Sequence, residues 1–134
     1  MKWKKEKESE HEIQAAFFEY VRLKAKKDNA YKLVTAIPNA REGEWARIRF
    51  WREGVNAGWP DVLCAAPRGK WNALFIEFKT RTGRLSRKQL EIMACLQKAG
   101  ACVLVCYSAD EGISLLDQYL KIDGASNAIK FLKN

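Results

Sequence analysis

The sequence predicts an α/β domain with a mixed central sheet flanked by helices, and three observations carry that reading. Two apolar runs, residues 62–66 and 73–79, are joined by the basic turn Pro67-Arg68-Gly69-Lys70, the pattern of an antiparallel hairpin. A third run, Ala101-Cys102-Val103-Leu104-Val105-Cys106, is apolar throughout and follows a helix-period segment, which implies a crossover into the same sheet. Helix start signals at Ser9 and Ser86 open amphipathic segments that can cover the sheet. At 134 residues and 48% hydrophobic content the chain fits one domain, 1–134, with enough apolar material for a core.

Taken in order, residues 1–8 form a charged, flexible lead-in. Ser9 with Glu12 makes a capping box that opens a helix to about Lys26. At about 100° per residue, Ile13, Ala16, Phe17, Tyr20, Val21 and Leu23 line its apolar stripe. Glu10 projects within that stripe and Glu12 falls at its edge. Glu10 is therefore the inward-facing acid, either complementing the positive helix N-terminus or serving a site.

Asp28-Asn29 marks a turn, and residues 31–37 alternate as a strand stopped by Pro38. A loop, 38–43, leads to a short helix over 44–53 in which Trp45, Ile48 and either Phe50 or Trp51 pack. Arg47, Arg49 and Arg52 stay outside; arginine interleaved with tryptophan also suits phosphate and stacking contacts. The glycine-bracketed turn 54–58 delivers Pro60 and Asp61 to the hairpin. After the hairpin comes a basic loop, 80–84. Ser86 with Gln89 then forms a second capping box, opening a helix over 87–99 with Leu90, Met93, Ala94 and Leu96 or Gln97 inward and Gly100 closing it. A last helix over 109–120 precedes a tail, 123–134.

Twenty-four Lys and Arg against 16 Asp and Glu give a formal charge of +8, which favours an anionic partner such as nucleic acid. The cysteines, at 64, 95, 102 and 106, lack paired spacing and have one histidine for company, which argues against zinc. Buried, reduced thiols of a cytoplasmic protein are the simplest account. The N-terminus lacks the apolar core of a signal peptide, and no run is long enough to span a bilayer. No membrane association is expected.

The chemistry concentrates where apolar strands carry charge. Glu77 and Lys79 lie two apart and so project from one face of a strand that is otherwise buried. A lone ionised carboxylate there is costly and persists when paired or metal-bound. Asp61, at the start of the neighbouring strand, supplies a second. Two carboxylates can hold Mg²⁺, a hard cation that keeps part of its water, and a lysine beside them can orient water or offset developing charge in phosphodiester hydrolysis. A structural Glu77–Lys79 or Asp61–Lys79 ion pair is the alternative.

Pro60-Asp61 with Glu77-x-Lys79 resembles the signature of the PD-(D/E)xK nuclease superfamily. The ordered set Glu10-x-x-Ile13-Gln14, Ile37-Pro38-Asn39, Gly54-x-x-x-Gly58-x-Pro60-Asp61, Ile76-Glu77-Phe78-Lys79 and Leu85-Ser86-x-x-Gln89 is similar to the VRR-NUC family within it, above all its small stand-alone phage and bacterial members. The resemblance covers residues 9 to 107. It implies a restriction-endonuclease-like αβββαβ core and endonucleolytic cutting of branched DNA with Mg²⁺, for which Mn²⁺ substitutes. It implies metal ligation by Glu10, Asp61 and Glu77, and catalysis by these with Lys79 and with Gln89, placed close to the site. Homodimers acting on four-way (Holliday) junctions are implied by the stand-alone members, as is a bacterial or phage-infected cytoplasm. Where the family carries glycine after the asparagine this chain has Ala40, which bears on that loop. Asn39, Arg41, Arg47, Arg49, Arg52, Arg68, Lys70, Arg81, Arg84, Arg87 and Lys88 are the expected nucleic-acid contacts. A non-catalytic basic nucleic-acid-binding module is the competing class, and the site chemistry is indifferent to the sugar, so RNA stays open as a substrate.

Overall fold

Four strands form one sheet in the order β1-β2-β3-β4. The computed structural model describes residues 8–38 and 43–123, the side chain of Glu44 excepted. The elements are α1 (Glu10–Ala25), β1 (Val34–Ala36), α2 (Glu44–Arg52), β2 (Val62–Cys64), β3 (Leu74–Phe78), α3 (Arg87–Lys98), β4 (Cys102–Cys106) and α4 (Ala109–Leu120). β1, β2 and β3 run antiparallel in succession, with Ala36 opposite Val62 and Val62 opposite Ile76. β3 and β4 are parallel, with Glu77 opposite Val105. The mixed sheet and the αβββαβ order are as expected, with α2 interposed between β1 and β2.

β3 is one of the two inner strands, buried along its whole length, and its two faces do different work because neighbouring side chains point opposite ways. Phe78 packs on the Phe17 ring of α1 at 5.2 Å between centroids, so the Leu74, Ile76 and Phe78 face lies under α1 and α4. There Phe17, Leu116 and Tyr119 are fully buried. Gly112 lets α4 approach, since a Cβ on it would lie 2.7 Å from the Phe78 ring. Glu77 faces the other way, toward α3. No helix among the described residues is long and apolar enough to cross a membrane.

Several sequence expectations shift. The strand expected over 31–37 begins with a 3₁₀ turn, Asn29–Leu33, and only Val34–Ala36 is strand. Asp28 caps that turn by accepting from the Ala30 N–H, and Tyr31 turns inward to donate its hydroxyl to Asp117 of α4. Leu23 is exposed rather than part of the α1 stripe, which is Ile13, Phe17 and Val21. On α3 the inward stripe is Gln89, Ile92, Met93 and Leu96, and Leu90 and Ala94 are exposed. Periodicity favoured Leu90 over its polar neighbour because a buried partner for Gln89 is invisible in one dimension. The expected packing of α2 does not occur: Trp45, Ile48, Phe50 and Trp51 are all exposed. Residues 1–7 of the lead-in and 124–134 of the tail lie outside the described residues.

Cys64, Cys102 and Cys106 are buried thiols, whereas Cys95 on α3 is exposed, against the expectation for all four. Burial pushes Cys102 up to about 11 and Cys106 up to about 12, and raises Cys64. Thiolate is the nucleophile, so brief alkylation of the native protein should modify Cys95 alone. Intact mass should show one adduct before denaturation and one on each of the four cysteines after it.

Candidate active site

The end of β3 gathers the charged side chains. The Lys79 N–H donates to the Cys106 carbonyl at 2.9 Å, extending the β3–β4 ladder one residue and fixing Lys79 on the face it shares with Glu77. Its ammonium lies 3.8 Å from Glu77 Oε1 and 3.8 Å from Glu10 Oε1. Glu77 is 1% exposed and Lys79 7%. An ionised carboxylate at that depth needs compensating charge and donors, and here it has both.

Gln89 is the neutral donor. Its Nε2 gives a hydrogen bond to Glu77 Oε1 at 2.9 Å, while its Oε1 accepts the Ser86 N–H at 2.9 Å. The Ser86 hydroxyl in turn accepts the Gln89 N–H. The capping box therefore starts α3 and also sets the amide orientation that serves Glu77. Glu77 Oε2 is buried with no hydrogen bond of its own among the described residues.

Glu10 arrives from the first residue of α1, whose capping box by Ser9 and Glu12 is complete. It lies against the turn after β3, where a Cβ on Gly83 would stand 3.5 Å from Glu10 Oε1. Asp61 enters from the start of β2. Its Oδ2 accepts the Phe78 N–H at 2.8 Å, and its carbonyl accepts the Ile37 N–H at 2.8 Å. Asp61 thus ties the end of β1 and the end of β3 to the start of β2.

The structure brings Glu10, Glu77, Lys79 and Gln89 into one cluster and sets Asp61 at its edge, engaged with a backbone amide. Among the described residues no group of three His, Cys, Asp or Glu is placed to hold a metal ion. The Lys79 ammonium supplies the positive charge between Glu10 and Glu77. The donor set is nonetheless the one Mg²⁺ takes, carboxylate oxygens without sulfur or imidazole. The Phe78 amide, Ser86 and Gly83 were not expected at the site. Ser86 had a signal, the capping box; a backbone donor has none.

The basic side chains divide by position. Arg81, Arg84, Arg87 and Lys88, all exposed, lie on the β3–α3 connection and the first turn of α3, at the same sheet end as Glu77. Arg47, Arg49 and Arg52 are exposed on α2. Arg68 and Lys70 sit at the opposite end of the hairpin, so they do not surround the site as expected. Arg68 is occupied structurally, its Nε donating to the Leu120 carbonyl at the end of α4, and Lys70 stands over the Trp71 ring. Asn39 and Arg41 lie outside the described residues. A concavity of about 560 Å³ between α1 and β1, lined by His11, Gln14, Phe18, Arg22 and Tyr31 among others, is separate from Glu77 and Lys79.

The model of the VRR-NUC domain matches residues 4–110. A solved structure of a VRR_NUC domain protein is similar to this chain at 26% identity and a TM-score of 0.71, covering 89% of this chain and 93% of the other. No curated protein matches by sequence.

Proposed function

This chain belongs to the VRR-NUC domain family, whose fold is of nuclease type, and on that premise we propose that it is a Mg²⁺-dependent endonuclease that hydrolyses phosphodiester bonds in branched DNA. The observation that carries the proposal is the convergence of Glu10 and Glu77 on the buried Lys79 ammonium, each at 3.8 Å, at a sheet end rimmed by exposed basic residues. Homodimeric cutting of a four-way junction is the finer reading, supported by the likeness to stand-alone members of the family.

In this reading Glu10, Asp61 and Glu77 hold the cation. A bound Mg²⁺ would offset charge on the phosphate oxygens and would lower the pKa of water held there. Lys79 donates to the attacking water or to the phosphate oxygen on which charge grows. Gln89 holds the Glu77 carboxylate in one orientation through the 2.9 Å hydrogen bond. Arg81, Arg84, Arg87 and Lys88 take the backbone phosphates on either side, contacts that position the strand without reading its sequence.

Purified protein incubated with a labelled four-way junction, a flap and a plain duplex should give products from the branched DNAs with Mg²⁺ or Mn²⁺ and none with chelator. Absence of metal-dependent product on all three substrates sinks the proposal. Light scattering of the same preparation should give the mass of a dimer. Gln89→Ala should lower cutting by about 10–100-fold, the usual effect of losing a partner that orients a ligand, and should raise the Mg²⁺ concentration for half-maximal rate. A rate loss with an unchanged Mg²⁺ requirement would assign Gln89 to the helix cap alone.

One observation favours a second reading, a non-catalytic basic nucleic-acid-binding module: Lys79 already offsets the charge of the buried Glu77 and the partly buried Glu10. That reading expects binding which falls steeply with salt and is indifferent to Mg²⁺.

A further inference from the structure

The connection between β1 and β2 leaves the sheet at Ile37 and returns at Asp61, where the Ile37 N–H and the Asp61 carbonyl close it at 2.8 Å. It carries α2, so α2 grows from the same sheet end as the acidic cluster. Gly58 seats the returning strand on α3: at φ +92°, a Cβ there would meet the Lys88 carbonyl oxygen at 2.9 Å. Both ends of the α2 excursion are thereby fixed beside the site.

The surface of α2 is unlike that of the other helices. Trp45 is 85% exposed and Trp51 70%, with Ile48 and Phe50 also exposed. Arg47, Arg49 and Arg52 stand in solvent between them. Trp45, Ala46, Arg49, Phe50 and Glu53 line an open cleft of about 430 Å³. Each indole left in water forgoes roughly 150–250 Å² of burial, a cost with no return among the described residues.

Charge decides between the occupants of such a face. A second copy of α2 would set arginine against arginine; among the described residues Arg49 has an acidic neighbour, Glu53 at 3.9 Å. A nucleic-acid strand offers the complementary sign. Unpaired bases present π-faces that stack on aromatic side chains irrespective of sequence, whereas paired bases in a duplex are already stacked on each other.

We infer that α2 is a stacking platform for unpaired nucleotides next to the scissile bond, with Trp45 and Trp51 taking base faces and Arg47 and Arg52 the adjoining phosphates. The inference rests on the branched-DNA reading above and deepens it. Where a branched substrate carries unpaired bases, as at a flap or gap, α2 adds their recognition to the phosphate contacts that a fully paired four-way junction also offers.

The test is Trp45→Ala/Trp51→Ala, at two positions whose exposure spares the fold, as circular dichroism would verify. Binding is measured in chelator, so that cutting plays no part, to a plain duplex and to the same duplex carrying a short unpaired thymidine gap. The wild type should bind gapped DNA more tightly, with quenching of tryptophan fluorescence. The double variant should lose about tenfold or more on gapped DNA and stay within about twofold on duplex, where phosphate contacts dominate. Equal losses on both DNAs, or no loss, overturns the inference. A dimer in the wild type that becomes a monomer in the variant, with the preference for gapped DNA intact, overturns it in favour of a second copy. A wild type that prefers gapped DNA but cuts nothing overturns the nuclease reading instead and leaves the platform standing.

Discussion

Lys79→Met should reduce junction cutting by about 10²–10³-fold or more, the scale set by removing one donor from a preorganised site, while DNA binding stays nearly intact because phosphate contacts elsewhere carry affinity. Methionine keeps the apolar stem and deletes the ammonium that lies 3.8 Å from both Glu77 and Glu10. Glu77 is 1% exposed, so the deletion also leaves a buried carboxylate without its cation. Breaking such a pair costs about 3–5 kcal/mol. The variant should therefore melt early in chelator, and added Mg²⁺ should recover part of that loss, because a cation that binds only the folded state stabilises it. Thermal unfolding with and without Mg²⁺ checks this separately from activity. Recovery of stability without recovery of cutting assigns Lys79 to the chemistry and the carboxylates to the metal. A Lys79→Met protein that cuts normally would remove Lys79 from the mechanism.

Gly112→Ala should produce a large loss of stability for a single added methyl group. The new Cβ would stand 2.7 Å from Phe78 Cε1, 2.8 Å from its Cζ and 3.2 Å from Phe17 Cδ2, and both rings are fully buried. Forcing an extra methyl into a filled core costs about 1–3 kcal/mol. The strain falls on Phe78, between Glu77 and Lys79 and itself the backbone donor to Asp61, so cutting should fall along with the urea midpoint. Ser114→Ala, on the exposed side of the same helix, should change the unfolding free energy by no more than about 0.5 kcal/mol and leave the midpoint nearly where it was. Equal midpoints for the two variants would mean that α4 can draw back from the sheet without penalty.

Much of this arrangement was legible in one dimension because local signals and tertiary demands coincide. The hairpin turn, the apolar β3 and β4, and the capping boxes at Ser9 and Ser86 each stand where the chain uses them. Glu10 was identifiable as an inward acid from helical phase alone, and it reaches Lys79. What the sequence hid is what depends on partners far along the chain. Tyr31 looked like a strand residue because its hydroxyl partner, Asp117, is on α4. Gln89 looked like a cap because its other partner, Glu77, is on β3. Arg68 gave no sign of its structural partner, the Leu120 carbonyl at the end of α4. The tryptophans of α2 looked like core because helical periodicity does not distinguish a face that meets the sheet from one that meets solvent.

The same pairing logic separates Asp61→Asn from Asp61→Ala. The amide oxygen of asparagine can still accept the Phe78 N–H, so the fold should survive while metal-dependent cutting falls. Alanine leaves that buried donor unsatisfied, at about 1–3 kcal/mol.

The most direct test of the central claim is single-turnover cutting of a four-way junction by the wild type and by Glu77→Gln, which keeps the side-chain shape and an acceptor for Gln89 but removes the charge. The account predicts product from the wild type in Mg²⁺, none in chelator, and none from Glu77→Gln in either. Product that persists in chelator, or from Glu77→Gln at the wild-type rate, would contradict it.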